Sequence, residues 1–90
     1  MSEYRLVLAD HRAQKDLDRL DGPVMERVWE AVQVLRQNPW PPASRRLRHP
    51  AIGEYRLRVG DWRVFYDVDQ ESKTVVILRV MHRREAYRSR

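Results

Sequence analysis

Hydrophobic positions along this chain change period several times, and each change marks an element. Tyr4 to Leu8 alternates, as a strand that buries one face does. Asp10 then precedes Ala13, Leu17 and Leu20, which recur at helical spacing and predict an N-capped helix running to about Leu20. Asp21-Gly22-Pro23 breaks that helix and starts a second, with the proline in its first turn, where the missing N–H is no loss. Val24, Val28, Ala31, Val32 and Leu35 form the second helix's buried stripe, which ends near Asn38-Pro39, with Trp29 at the stripe or its edge. The two helices form an antiparallel hairpin.

Asn38 to Pro50 reads as a loop, because Pro39, Pro41, Pro42 and Pro50 interrupt regular structure. Next comes Tyr55-Arg56-Leu57-Arg58-Val59-Gly60-Asp61-Trp62-Arg63-Val64-Phe65-Tyr66, inside a predicted β-hairpin from about Gly53 to Val68. Gly60-Asp61 suits a two-residue turn whose first position is left-handed. That register sets Arg58 opposite Arg63, Leu57 opposite Val64, Arg56 opposite Phe65 and Tyr55 opposite Tyr66. Tyr55, Leu57, Val59, Trp62, Val64 and Tyr66 then share an apolar face, while Arg56, Arg58, Arg63 and Phe65 share the other.

After a polar turn at residues 69–73, Thr74 to Met81 is apolar at nearly every position, as in a strand covered on both faces. His82 to Arg90 is a polar tail of one or two helical turns. The predicted fold is α+β: one compact domain over residues 1–90, with an N-terminal strand, a helical hairpin, three antiparallel strands and a short C-terminal tail, βααβββ. The helices cover one sheet face and leave the other partly open.

Ninety residues suffice for a single modest core. No apolar run is long enough to cross a bilayer and no basic-then-apolar leader is present, so a cytoplasmic protein without membrane contact is expected. The absence of cysteine excludes disulfides and thiolate chemistry.

Charge changes the picture more. Residues 1–43 carry 6 Arg/Lys and 7 Asp/Glu, a net of −1; residues 44–90 carry 12 and 6, a net of +6, giving the total of +5. The excess sits in the predicted sheet and tail, and all but Lys15 and Lys73 of the basic residues are arginines. Arginine's planar fork suits phosphate oxygens, so the clustering points to a polyanion such as nucleic acid.

An arginine row on a sheet is ordinarily a solvated face. Direct opposition of Arg58 and Arg63 is repulsive, however, and keeps an anion-binding role level with that reading. Phe65, alone among arginines, is the candidate for stacking a base. In the tail, Arg83 and Tyr87 lie four residues apart, one helical turn. Arginines and a tyrosine at the rim of such a sheet would make a phosphate-transfer site without a metal, for which RNA, with its built-in 2′-OH, is the natural substrate. His11, His49 and His82 lack ligand spacing, Asp67 and Asp69 border a turn, and no glycine loop or nucleophile motif is present; neither metal nor cofactor is expected.

The "YRLRVGDWRVFY" and "HRREAY" segments, preceded by Lys15-Asp16-Leu17, Leu35-Arg36-Gln37-Asn38-Pro39 and Arg46-Leu47, resemble the RelE/ParE superfamily of type II toxin–antitoxin toxins across nearly the whole chain. For the RelE branch, the resemblance implies a ribosome-dependent, metal-independent mRNA endonuclease that cuts through 2′-OH attack and inhibits translation. It implies that Tyr87 is the general base, Arg83 the acid or leaving-group stabiliser, with Arg84 a possible substitute, and Arg56, Arg58 and Arg63 the charge stabilisers. Arg45, Arg46, Arg48, Phe65, Arg84 and Arg88 are the further RNA-binding candidates. Lysine, present in some relatives on the first hairpin strand, is replaced here by arginine, a poorer proton donor. The ParE branch shares much of the pattern and poisons DNA gyrase; a third reading is a basic module acting only as co-repressor. The implied partners are an acidic, neutralising antitoxin, the ribosome and mRNA, and operator DNA indirectly through the antitoxin.

Overall fold

The computed structural model describes residues 3–48 and 52–88, with side chains as far as residue 86. Its elements are β1 (Arg5–Leu8), α1 (His11–Asp18), α2 (Gly22–Val34), β2 (Ser44–Arg46), β3 (Tyr55–Val59), β4 (Trp62–Asp69), β5 (Thr74–His82) and α3 (Arg83–Arg88). The strands form one sheet in the order β1-β5-β4-β3-β2, antiparallel except where β1 runs parallel to β5. The α+β architecture expected from the sequence is present, with one strand more.

That strand is β2, inside the stretch read as loop. Ser44, Arg45 and Arg46 pair with Leu57, Arg56 and Tyr55 at the sheet's edge. The prolines at 41 and 42 stop short of it, so its N–H groups are free to join the ladder. His49, Pro50 and Ala51 lie outside the described residues, as do Ser89 and Arg90.

The first helix begins on the expected cap, and the second is capped by Asp21 of the predicted break. The Asp10 carboxylate accepts the Arg12 N–H at 2.9 Å, and that of Asp21 accepts the Val24 N–H at 3.1 Å. Leu17, Val28, Val32 and Leu35 from the helices pack on Leu57, Val64, Tyr66, Val75, Ile77 and Val80 from the sheet. The Tyr66 hydroxyl donates to the Pro39 carbonyl at 2.6 Å, pinning the loop after α2 beneath the sheet.

Ile77 and Val80 are three residues apart yet both belong to this core. A β-bulge makes that possible: Tyr66 pairs with Ile77 and Phe65 with Arg79, so Leu78 is the extra residue. Beyond Ile77 the outer edge of β5 has no strand partner, because the last bond from β1's end is from the Ala9 N–H to the Ile77 carbonyl. Asp16 of α1 takes the strand's place. Its carboxylate accepts the Val80 N–H at 2.9 Å and receives Arg79 Nε and Nη2 at 2.7 and 3.1 Å. The Asp16 side chain is 5 % exposed.

The second sheet face is partly open, as expected, and its apolar part is covered. Leu47, Ile52 and Ala86 cover Phe65 and Met81, making a small second core. Gly53, at φ +70°, allows the covering loop to lie this close: an added Cβ would sit 2.4 Å from Leu78 Cδ1.

Two outcomes are expected. Asp16→Ala leaves the Val80 N–H and the Arg79 guanidinium without their acceptor and should destabilise the fold by about 2–4 kcal/mol in urea denaturation. Burial pushes the Tyr66 phenol above its ordinary value near 10, so the folded state holds that proton more tightly than the unfolded chain. Its contribution is intact below the unfolded value and is lost as pH rises from there through the folded one. Tyr66→Phe should therefore cost about 1 kcal/mol at neutral pH and flatten the alkaline limb of a Tm-versus-pH profile.

Candidate functional site

The basic surface is built from the ends of β2 and β3. Arg56 and Arg58 occupy alternate positions of β3, and Arg45 stands opposite Arg56 on β2, so these three share one face. Arg45 and Arg58 are exposed and Arg56 half-buried. The hairpin register is the one expected, with Arg58 directly opposite Arg63. The sheet thus opposes like charges twice, Arg45 with Arg56 and Arg58 with Arg63, each unfavourable unless a dipole or an anion compensates it. The first pairing was invisible while residues 44–46 read as loop.

Arg63 is placed differently from its neighbours. It is 7 % exposed, and its Nη1 donates to the Gly60 and Trp62 carbonyls, each at 2.9 Å. Gly60 adopts φ +60°, the left-handed first position that the turn requires. The same turn meets α3: the Asp61 carbonyl accepts the Arg83 N–H at 2.8 Å, and Arg83 Nε stands 4.0 Å from the Asp61 carboxylate. His82 pairs with Trp62 across the strands, and their rings meet edge-on at 5.3 Å. His82 Nδ1 accepts the Arg84 N–H at 3.3 Å, capping the short helix. Side chains of Arg83 and Arg84 are exposed where α3 leaves the hairpin tip.

The other candidates divide. Tyr87 and Arg88 belong to α3, but their side chains lie outside the described residues. Arg46 alternates with Arg45 and so falls on the opposite sheet face, across from Tyr55 and 3.9 Å from Glu54. Arg48 is exposed and lines a depression beside β2 with Arg46, Leu47 and Glu54. Phe65 is a correction: it is 6 % exposed beneath Leu47, Ile52 and Ala86, so its ring is packed and no base can stack on it. Sequence reasoning also passed over Asp61, an ordinary turn residue by type; its one signal was its position beside the arginine strands.

Arg45, Arg56 and Arg58 bring guanidinium groups to one face with no carboxylate among them, and Arg83 adds another at the hairpin tip. Such a surface can bind an extended phosphate chain and neutralise charge that develops on it. The described residues contain no cluster of three or more His, Asp or Glu able to hold a metal, and no helix long and apolar enough to cross a membrane.

Comparison with known proteins places the same residues in context. The family model described as the ParE toxin of type II toxin–antitoxin system, parDE, matches residues 7–87. Toxin RelG of Mycobacterium tuberculosis is 38% identical over 77 residues, covering 84% of this chain and 87% of that protein. The toxin–antitoxin complex RelBE2 from Mycobacterium tuberculosis contains a chain 34% identical, with TM-score 0.77 and coverage of 91% and 93%. The archaeal RelE–RelB complex from Pyrococcus horikoshii OT3 gives 28% identity and TM-score 0.76, with coverage of 90% and 96%.

If the β2–β3 surface binds a phosphate chain, Arg56→Gln and Arg58→Gln should each weaken binding of a single-stranded RNA oligonucleotide. Each should reduce the slope of log K against log salt by roughly 0.7, one phosphate contact. Arg46→Gln, on the other face, should leave the slope unchanged. Fluorescence anisotropy across a salt series measures all three.

Proposed function

This chain belongs to the RelE/ParE superfamily and is a RelE-like toxin of a type II toxin–antitoxin system, and on that premise we propose that it is a ribosome-dependent endoribonuclease that cuts mRNA and arrests translation. The observation that carries the reading is the row of Arg45, Arg56 and Arg58 on one face, with Arg83 exposed at the hairpin tip of the same sheet. In this reaction the substrate supplies its own nucleophile. The 2′-OH attacks the adjacent phosphorus, the bond to the 5′-oxygen breaks, and a 2′,3′-cyclic phosphate and a 5′-hydroxyl result.

Tyr87 removes the 2′-OH proton as general base. Arg83 stabilises the departing 5′-oxygen, and Arg56 and Arg58 neutralise the charge gathering on the phosphate. Arg45, Arg48, Arg84 and Arg88 hold flanking phosphates. The reaction needs no metal or cofactor, because nucleophile and charge stabilisation come from the RNA and the arginines.

A neutralising antitoxin with acidic residues is the partner that a basic face of this kind fits, and the two similar complexes are each a toxin with its antitoxin. Through that antitoxin the complex reaches operator DNA. The matched family model carries the ParE description, which supports a second reading, inhibition of DNA gyrase.

Induced expression separates these readings. Wild type should stop growth and produce cuts within codons of translated mRNA, detected by primer extension. Arg83→Ala and Tyr87→Phe should each relieve growth arrest and leave mRNA intact while the protein accumulates in folded form. Growth arrest with intact mRNA and a supercoiling defect would instead assign the gyrase reading. Absence of toxicity from wild type would leave only co-repression.

A further inference from the structure

The Gly60-Asp61 turn is engaged at three successive carbonyls. Arg63 Nη1 holds those of Gly60 and Trp62, each at 2.9 Å, and the Arg83 N–H holds that of Asp61 between them, at 2.8 Å. The Arg83-to-Asp61 bond continues the β4–β5 ladder beyond the Trp62–His82 pair, whereas the Arg63 side chain over the Gly60 and Trp62 carbonyls is an addition that strand pairing alone does not require. The first N–H groups of a helix, in turn, have no partner inside it. Here the turn supplies one for Arg83, and the carboxylate of Asp61 stands 4.0 Å from Nε of the same residue.

We propose that Arg63 is a positioning residue: its guanidinium locks the hairpin turn, and the locked turn fixes Arg83 through the carbonyl and carboxylate of Asp61. The proposal rests on the ribonuclease reading for its consequence and reassigns Arg63 from charge stabilisation to alignment. Its burial sets it apart from Arg45 and Arg58, which face solvent. Opposition to Arg58 is tolerated because the Arg63 charge is directed into two carbonyl dipoles. Asp61, 68 % exposed at its side chain, steers the Arg83 side chain by charge and is too exposed to matter for the fold. A misalignment of about 1 Å can cost on the order of a hundredfold in rate, so a single held turn is enough to set turnover.

Two measurements on the full chain test this. Amide hydrogen exchange reads the clamp independently of activity: Arg63→Gln should lower protection of the Arg83 amide by roughly tenfold or more while core amides such as Val64 stay protected. Unchanged protection at Arg83 overturns the proposal, whether or not the wild type cuts mRNA. Cleavage kinetics read its use: Arg63→Gln should lower kcat by roughly tenfold or more with KM within about twofold. In an Arg83→Ala background the same substitution should have almost no further effect. Arg63→Lys, which can still donate to a carbonyl, should recover part of the loss.

Additive losses in the double variant, or a fall in the salt slope of RNA binding like that of Arg56→Gln, would show that Arg63 touches phosphate and would overturn the positioning role. Should Arg63→Gln fail to fold, Asp61→Asn decides. Removing that exposed negative charge should lower kcat without weakening RNA binding, and an unchanged kcat overturns the proposal. Loss of cleavage in the wild type would remove the ribonuclease reading and leave the clamp to stand or fall on exchange alone.

Discussion

Strand β5 lies between β1 and β4, and its outer edge has a strand partner only as far as Ile77. From Leu78 onward, the ladder would present unpaired backbone groups, just where β5 must run straight enough to deliver α3. The Asp16 carboxylate resolves this by accepting the Val80 N–H and Arg79 Nε and Nη2 together. A buried carboxylate that lost these donors would carry a large desolvation penalty. The same bonds hold the bulge at Leu78 that puts Ile77 and Val80 into the core and turns Met81 to the other face, where alternation along β4 already sets Phe65. The Asp16 contact keeps the Arg79 guanidinium above its ordinary value, so the pair stays charged wherever the carboxylate is ionised.

The second core follows from that bulge. Phe65 and Met81 sit where α3 and the loop ending at Gly53 can close over them. The face therefore divides, with a covered apolar part under α3 and an arginine-bearing part toward β2 and the hairpin tip. Ala86 anchors the helix while Arg83 stays exposed at its start. Stability and charge presentation are thus kept apart on one surface, and the arginines remain accessible without exposing the apolar residues beside them.

Local signals in the sequence were readable and the non-local ones were not. The hairpin register followed from alternation over a dozen residues and from a glycine suited to a left-handed turn. Asp10 as a cap and the Asp21-Gly22-Pro23 break identified the two helix starts, because both signals act within three residues. Strand β2 escaped because three residues hold no period and their partners lie beyond a proline-rich stretch. Phe65 looked exposed because its cover comes from Leu47, Ile52 and Ala86, each a lone apolar residue in a polar segment. Asp16 read as helix surface, since its partners are 63 and 64 positions away. The arginine row was legible as a face, whereas the inward turn of Arg63 depends on carbonyl directions that no residue pattern encodes.

The parallel pairing of β1 with β5 ties the beginning of the chain to nearly its end, Arg5 with Thr74 and Leu8 with Ile77. A nascent polypeptide emerging N-terminus first therefore has its helical hairpin in hand long before β5, the strand that joins β1 to the rest of the sheet. Until residues 74–82 leave the exit tunnel, β1 has no strand partner and the helices' apolar stripes lack Val75, Ile77 and Val80 beneath them. Such long-range pairing delays cooperative closure until β5 has been made. Any chain truncated before β5 would present arginines on a surface with no architecture behind it.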